Sequence, residues 1–201
     1  MTHTDIIKRY VGKRGYKDHP EYQETMIQMR LTMFTEADVA YFKNLYADSK
    51  DLFSRNQILQ AFVLQCLRYP LKDFFLTAFK KERYLDMRLT AVRGYAAYAS
   101  EKEIIPLMKK FMEILAKRPE STPYNYQEYE ILRSPFGLPY LVKKYGYSCF
   151  TQASELLEKQ YADMPDLCKG FFTLDEHGMH VPLLPAEEVK KRLDMLFTNT
   201  C

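Results

Sequence analysis

The sequence has no tryptophan, only seven glycines and no CxxC pair among its four cysteines. Scarce glycine and the lack of long alternating apolar and polar runs argue against an all-β fold. The cysteines are Cys66, Cys149, Cys168 and Cys201, and Cys66 sits in an apolar helical pattern that suits a reduced, buried thiol. No stretch approaches the roughly 18 apolar residues that a membrane span needs. The opening "MTHTDIIKRYVGKRG" lacks the apolar core of a secretory signal. A soluble, cytoplasmic chain that does not enter a membrane is therefore expected.

A large excess of one charge is also missing, since the formal net charge is +3. Residues 1–20 hold that excess in Lys8, Arg9, Lys13, Arg14 and Lys17 against Asp5 and Asp18, and the remainder is balanced. Phosphate binding needs a broad basic surface. The basic start reads as the solvated face of a first helix, and nucleic acid is not the expected partner.

Catalytic signatures are absent too. There is no G-x-S-x-G, no glycine-rich phosphate loop and no H-E-x-x-H, and no histidine stands at a recognisable spacing from Cys149. His177 and His180 form the one close histidine pair, but zinc needs three or four ligands and no neighbouring cysteine or carboxylate pattern completes the set. They read as turn and strand residues. No enzyme activity, cofactor or metal is expected.

What is present is a repeat. Set "RNQILQAFVLQC" (55–66) over "RLTAVRGYAAYA" (88–99), and an offset of 33 residues aligns Arg55 with Arg88, Leu59 with Val92 and Phe62 with Tyr95. Phe74, Phe75, Ala78 and Phe79 then meet Leu107, Met108, Phe111 and Met112. One step back, Met26 and Met29 fall under Leu59 and Phe62, and Tyr41, Phe42, Leu45 and Tyr46 under the Phe74 group. One step forward, Tyr140, Leu141 and Tyr145 still match, with Lys144 in an apolar place. Apolar residues at i, i+1, i+4 and i+5 mark one face of a helix, so each unit is a helical hairpin. Ser54-x-x-Gln57 and Ser100-x-x-Glu103 read as capping boxes, and Thr35-x-x-Asp38 as a relative of them. Tyr69-Pro70 and Gly146 read as helix stops, and Pro20 and Pro185 as helix starts.

A helix over 101–117 with Pro106 near its start follows "DMRLTAVRGYAAYA", in which Asp86 precedes Val92-Arg93. This arrangement resembles a HEAT repeat, whose first helix carries a proline and whose second carries an aspartate and an arginine. The match is good over 86–117, moderate over 36–81 and degenerate over 124–163. The resemblance implies an all-α fold: a short right-handed α-solenoid of about four HEAT-like helical hairpins over 1–169. Second helices (54–68, 87–99, about 124–133 and about 149–163) would line its concave face. In "GFFTLDEHGMHVPLLP" a small hairpin is expected, followed by an amphipathic helix with Val189, Leu193 and Leu196. Residues 170–201 then cap the same domain, because a solenoid must cover its last apolar face.

A solenoid presents an extended surface, so the leading expectation is a non-catalytic protein-binding scaffold or adaptor. An immunity-type inhibitor that covers a toxin is a sharper version. Candidate contact residues are Arg88, Arg93, Tyr98, Gln57 and Arg68, with Tyr124 and Tyr126 in "PYNYQEYEIL". Each has a structural alternative: Arg93 can tie to Asp86 or to a neighbouring repeat, and Tyr126 and Tyr129 can belong to the core. The rival function is a HEAT-like DNA-binding protein or alkylpurine DNA glycosylase, which shares the architecture but cradles DNA on a basic face. The remaining alternative is self-association, the chain being a monomer or a weak homodimer.

Overall fold

Local capping decides where most helices begin. The computed structural model describes residues 2–121 and 127–198. Helix α1 (His3–Tyr10) opens with a capping box in which the Asp5 N–H donates to the Thr2 hydroxyl and the Thr2 N–H to the Asp5 carboxylate. Helix α2 (Pro20–Gln28) starts on a proline, whose missing N–H would have had no partner in the first turn. Helix α3 (Glu36–Asp48) has the Thr35/Asp38 box.

Helix α4 (Leu52–Leu64) departs from expectation, because Ser54 is not its cap. Asp51 is, accepting from the Ser54 N–H at 2.9 Å. Two short polar side chains compete for one helix start, and the carboxylate adds charge complementarity to the helix N-terminus. Ser54 turns inward to share a 2.7 Å hydrogen bond with the Tyr22 hydroxyl, and Gln57 is buried rather than capping.

Helices α5 (Lys72–Lys81), α6 (Leu85–Ala96) and α7 (Glu101–Ala116) follow. The Ser100/Glu103 box opens α7, and Pro106 lies inside it. Then come α8 (Arg118–Ser121), α9 (Gln127–Arg133), α10 (Leu138–Tyr145) and α11 (Ser148–Ala162). Gly146, at φ 65°, ends α10 in the left-handed conformation that glycine adopts without strain. The chain closes with strands β1 (Phe172–Leu174) and β2 (His180–Pro182) and helix α12 (Ala186–Thr198). The fold is all-α apart from this hairpin, and no described helix is long and apolar enough to cross a membrane.

The chain forms two compact units, residues 1–81 with 90–99 and residues 82–89 with 100–201. Helix α6 begins in the second and ends in the first. The division falls inside the 1–169 stretch read as one repeat domain. Burial follows the 33-residue offset: Met26, Leu59 and Val92 are fully buried, as are Phe42, Phe75, Met108 and Leu141. Leu45, Ala78 and Phe111 are buried as well, but Lys144, next in that row, is exposed.

Within the first unit, polar side chains knit the loops to the second helices. Gln65 accepts from the Phe34 N–H at 3.0 Å and donates to the Thr32 carbonyl at 2.8 Å. The Arg30 guanidinium donates to Gln60, whose amide reaches Asn56. Gly94 fits where α6 meets the Phe75 ring, since a Cβ there would overlap that ring.

In the second unit α11 packs against α7, α9 and α10. Tyr129 is buried and donates to Gln160, which donates in turn to the Leu115 carbonyl, so the core reading of Tyr129 holds. The hairpin is antiparallel, pairing Thr173 with Val181. Gln127 substitutes for a third strand: its side-chain oxygen accepts from the Phe171 and Phe172 N–H groups, and its amide donates to the Phe172 carbonyl at 2.6 Å. Pro182 on the other strand removes a donor, which blunts that edge against further pairing. Helix α12 buries none of its described side chains, and Leu193 is exposed. In the hairpin, Leu174 is buried.

Gly94→Ala separates packing from propensity. Alanine favours a helix by about 1 kcal/mol, but overlap with the buried Phe75 ring predicts a net loss of about 1–2 kcal/mol in urea unfolding. Leu193→Glu, on exposed α12, is expected to change stability by less than about 0.5 kcal/mol.

Candidate functional site

The residues proposed from the sequence differ in exposure. Gln57 is 6% and Arg93 is 7% exposed, so both belong to the interior of the first unit. The Gln57 side-chain oxygen is buried with no hydrogen-bond partner among the described residues. Helix α6 stops at Ala96, so Tyr98 falls in the following turn and not on the helix with Arg93. Its hydroxyl donates to the Tyr69 carbonyl at 2.6 Å, a structural tie. Arg88 donates to the Glu82 carbonyl at 2.7 Å. Arg68 is exposed, with its guanidinium against the Met33 sulfur. Tyr124 and Tyr126 lie outside the described residues. A face rich in Gln, Arg and Tyr signals interior hydrogen bonding as readily as contact, and composition alone does not separate the two.

An open groove lies elsewhere in the first unit, between α3 and α5. One cavity of about 460 Å³ is bounded by Lys43, Tyr46, Asp73, Phe74, Thr77 and Lys81. A second, of about 340 Å³, is bounded by Glu36, Val39, Lys43, Tyr69 and Pro70. Lys43 borders both. Glu36, Val39 or Ala40, Lys43 and Ala47 recur at helical spacing, so a single face of α3 forms one wall. Small side chains on that wall and aromatic ones opposite leave a trough rather than a filled seam. Lys81 closes one end: its ammonium donates to the Tyr46 and Ala47 carbonyls at 3.0 and 2.9 Å, satisfying the end of α3. Lys43 differs. It is half-buried and makes no ion pair or hydrogen bond among the described residues.

The second unit holds a buried ionic cluster at the start of α6. Glu128 is 3% exposed, accepts from the Leu85 N–H, and pairs with the Arg118 guanidinium at 3.1 Å. Arg118 also donates to the Arg83 carbonyl at 3.2 Å. Burial, and then the nearby Asp86 charge, raise the Glu128 carboxyl from 4.5 to about 7, against the pull of Arg118 and the Leu85 and Asp86 amides. Burial is also the main cause that lifts Asp86 from 3.8 to about 6; Glu82 adds to the rise, and the Met87 and Asp86 amides and Arg118 oppose it. The cluster can hold a proton near neutrality, and Glu128 is turned onto the backbone at the start of α6. The signal for it in the sequence is slight, since Glu128 within "YQEYEIL" reads as one more helical surface charge.

Among the described residues no group of three His, Cys, Asp or Glu side chains is placed to hold a metal ion. His177 lies in the hairpin turn, while His180 stacks on Phe172 with ring centroids 4.5 Å apart.

A measurable pH dependence follows from the raised carboxyls. The folded chain binds protons that the unfolded chain releases between about pH 4 and 7, so stability falls as pH rises through that window and levels off above it. Asp5, Asp38 and Asp166 have lowered values and titrate below it. Urea unfolding at pH 5 and pH 8 is expected to show about 1–3 kcal/mol less stability at pH 8. The difference shrinks in Glu128→Gln.

Comparison with family models, curated proteins and solved structures finds no match for the chain.

Proposed function

We propose that the chain is a non-catalytic protein-binding scaffold built from HEAT-like helical hairpins. Burial that repeats at the 33-residue offset through Met26, Leu59 and Val92, and again through Phe42, Phe75, Met108 and Leu141, supports the hairpin frame. The observation that carries the binding role is the open groove between α3 and α5. Val39, Tyr69, Pro70 and Phe74 line its walls beside Glu36, Lys43, Asp73 and Lys81, and each of its two cavities is in the size range of ligand and peptide sites.

The disposition of cations favours a protein partner over DNA. Arg30 is held by Gln60 and the Ile27 carbonyl, Arg118 by Glu128, and Arg133 by Glu158 and the Tyr161 ring. Lys81 is held by two carbonyls. Cations fastened in this way do not form the free basic track that a phosphate backbone needs.

Affinity capture from source-cell lysate tests the role, run with and without nuclease beside an Ala40→Tyr/Thr77→Tyr variant. Both positions are exposed in the groove, so the variant fills it without entering the core. A protein retained in both nuclease arms and lost with the variant is the expected result. Recovery only of nucleic acid, with its proteins removed by nuclease, overturns the proposal.

A further inference from the structure

We propose that Met33 is a reversible oxidation site, at which hydrogen peroxide converts the thioether to a sulfoxide that the Arg68 guanidinium then holds. Oxidation of a methionine needs an accessible sulfur, and the fold is selective in providing one. Among the described residues five methionines, Met26, Met29 and Met87 included, are buried, and three are half-buried. Met33 alone among them is exposed, at 68%.

The backbone around Met33 is fixed even though its side chain is uncovered. Gln65 ties the residue on either side of it. The Gln65 amide donates to the Thr32 carbonyl at 2.8 Å, and the Phe34 N–H donates to the Gln65 side-chain oxygen at 3.0 Å. The Tyr69 hydroxyl donates to the Phe34 carbonyl, and the Phe34 ring stacks on Phe42 with centroids 5.0 Å apart. Arg68 comes from the short turn Cys66–Arg68, where its own N–H donates to the Gln65 carbonyl at 3.1 Å. From there its guanidinium donates to the Met33 sulfur. The thioether thus stands in solvent with a cation beside it.

That pairing suits the product better than the reactant. A sulfur lone pair attacks one oxygen of hydrogen peroxide and the O–O bond breaks. The departing oxygen takes up the proton of the transferred hydroxyl and leaves as water, so sulfur loses two electrons and the peroxide gains them. A thioether is a weak acceptor, whereas the sulfoxide oxygen carries partial negative charge and accepts a charge-assisted hydrogen bond from the same guanidinium. Leu31 and Leu67, on the same two loops, are 69% and 75% exposed. Oxidation therefore makes an apolar loop surface polar, and a methionine sulfoxide reductase restores it.

Peptide mapping by mass spectrometry, after timed exposure of the full chain to hydrogen peroxide, tests the site. Met33 is expected to gain oxygen at least about tenfold faster than any other described methionine, and unfolding in urea before exposure is expected to abolish the difference. Equal oxidation at a half-buried methionine such as Met112, or a preference that survives unfolding, overturns the proposal. Arg68→Leu, at an exposed position, tests the hold on the product, with circular dichroism to confirm that its helices are kept. Oxidation is expected to shift the urea midpoint more favourably in the wild type than in Arg68→Leu, because only the wild type keeps the sulfoxide–guanidinium contact. Met33→Leu, which lacks the thioether, is expected to lose that shift. Equal shifts in wild type and Arg68→Leu, or a shift that persists in Met33→Leu, overturn the proposal.

Discussion

The first turn of α6 is held by a carboxylate from far along the chain, and much of the structure depends on that contact. Helix α6 contributes its start to one compact unit and its later turns to the other. Tyr84, the residue before it, offers no carboxylate or short hydroxyl to satisfy the free amides, and Glu128 does so instead. Burying a carboxylate is costly, and Arg118 offsets only part of the cost, which is why the Glu128 carboxyl titrates near neutrality. At the other end of the helix, Gly94 lets Phe75 approach within the first unit, and Val92 is fully buried there. A single helix is thus fixed by charge at its start and by close packing further on.

The polar side chains of the second helices illustrate a related economy. Gln60, Gln65 and Ser54 sit on the same helix or just beyond it, and each satisfies a group on a preceding segment: Arg30, the 32–34 loop and Tyr22. Their hydrogen bonds are spent inside the molecule. The cavities along α3 stay open to solvent instead.

How much was legible in the sequence depends on the range of each interaction. The Thr35/Asp38 and Ser100/Glu103 boxes and the Gly146 stop were readable because both partners lie within one turn. Ser54 was misread because Asp51, three residues earlier, competes for the same amides and wins as the stronger acceptor. The buried faces around Phe42, Phe75, Met108 and Leu141 were readable because amphipathic spacing is local to each helix. Glu128 and Gln127 were not. Each reaches backbone some forty residues away, the start of α6 for one and strand β1 for the other, and nothing in local pattern distinguishes them from surface charge and amide. The burial of Gln57 and Arg93 is likewise set by neighbouring helices, which local pattern does not show.

A photo-crosslinking amino acid placed at Thr77, an exposed position on the groove wall, tests the binding role most directly when expressed in the source cell. Docking in the groove predicts adducts to one protein, mapped by mass spectrometry to a single segment. Adducts confined to nucleic acid, or scattered over many unrelated proteins, would contradict it.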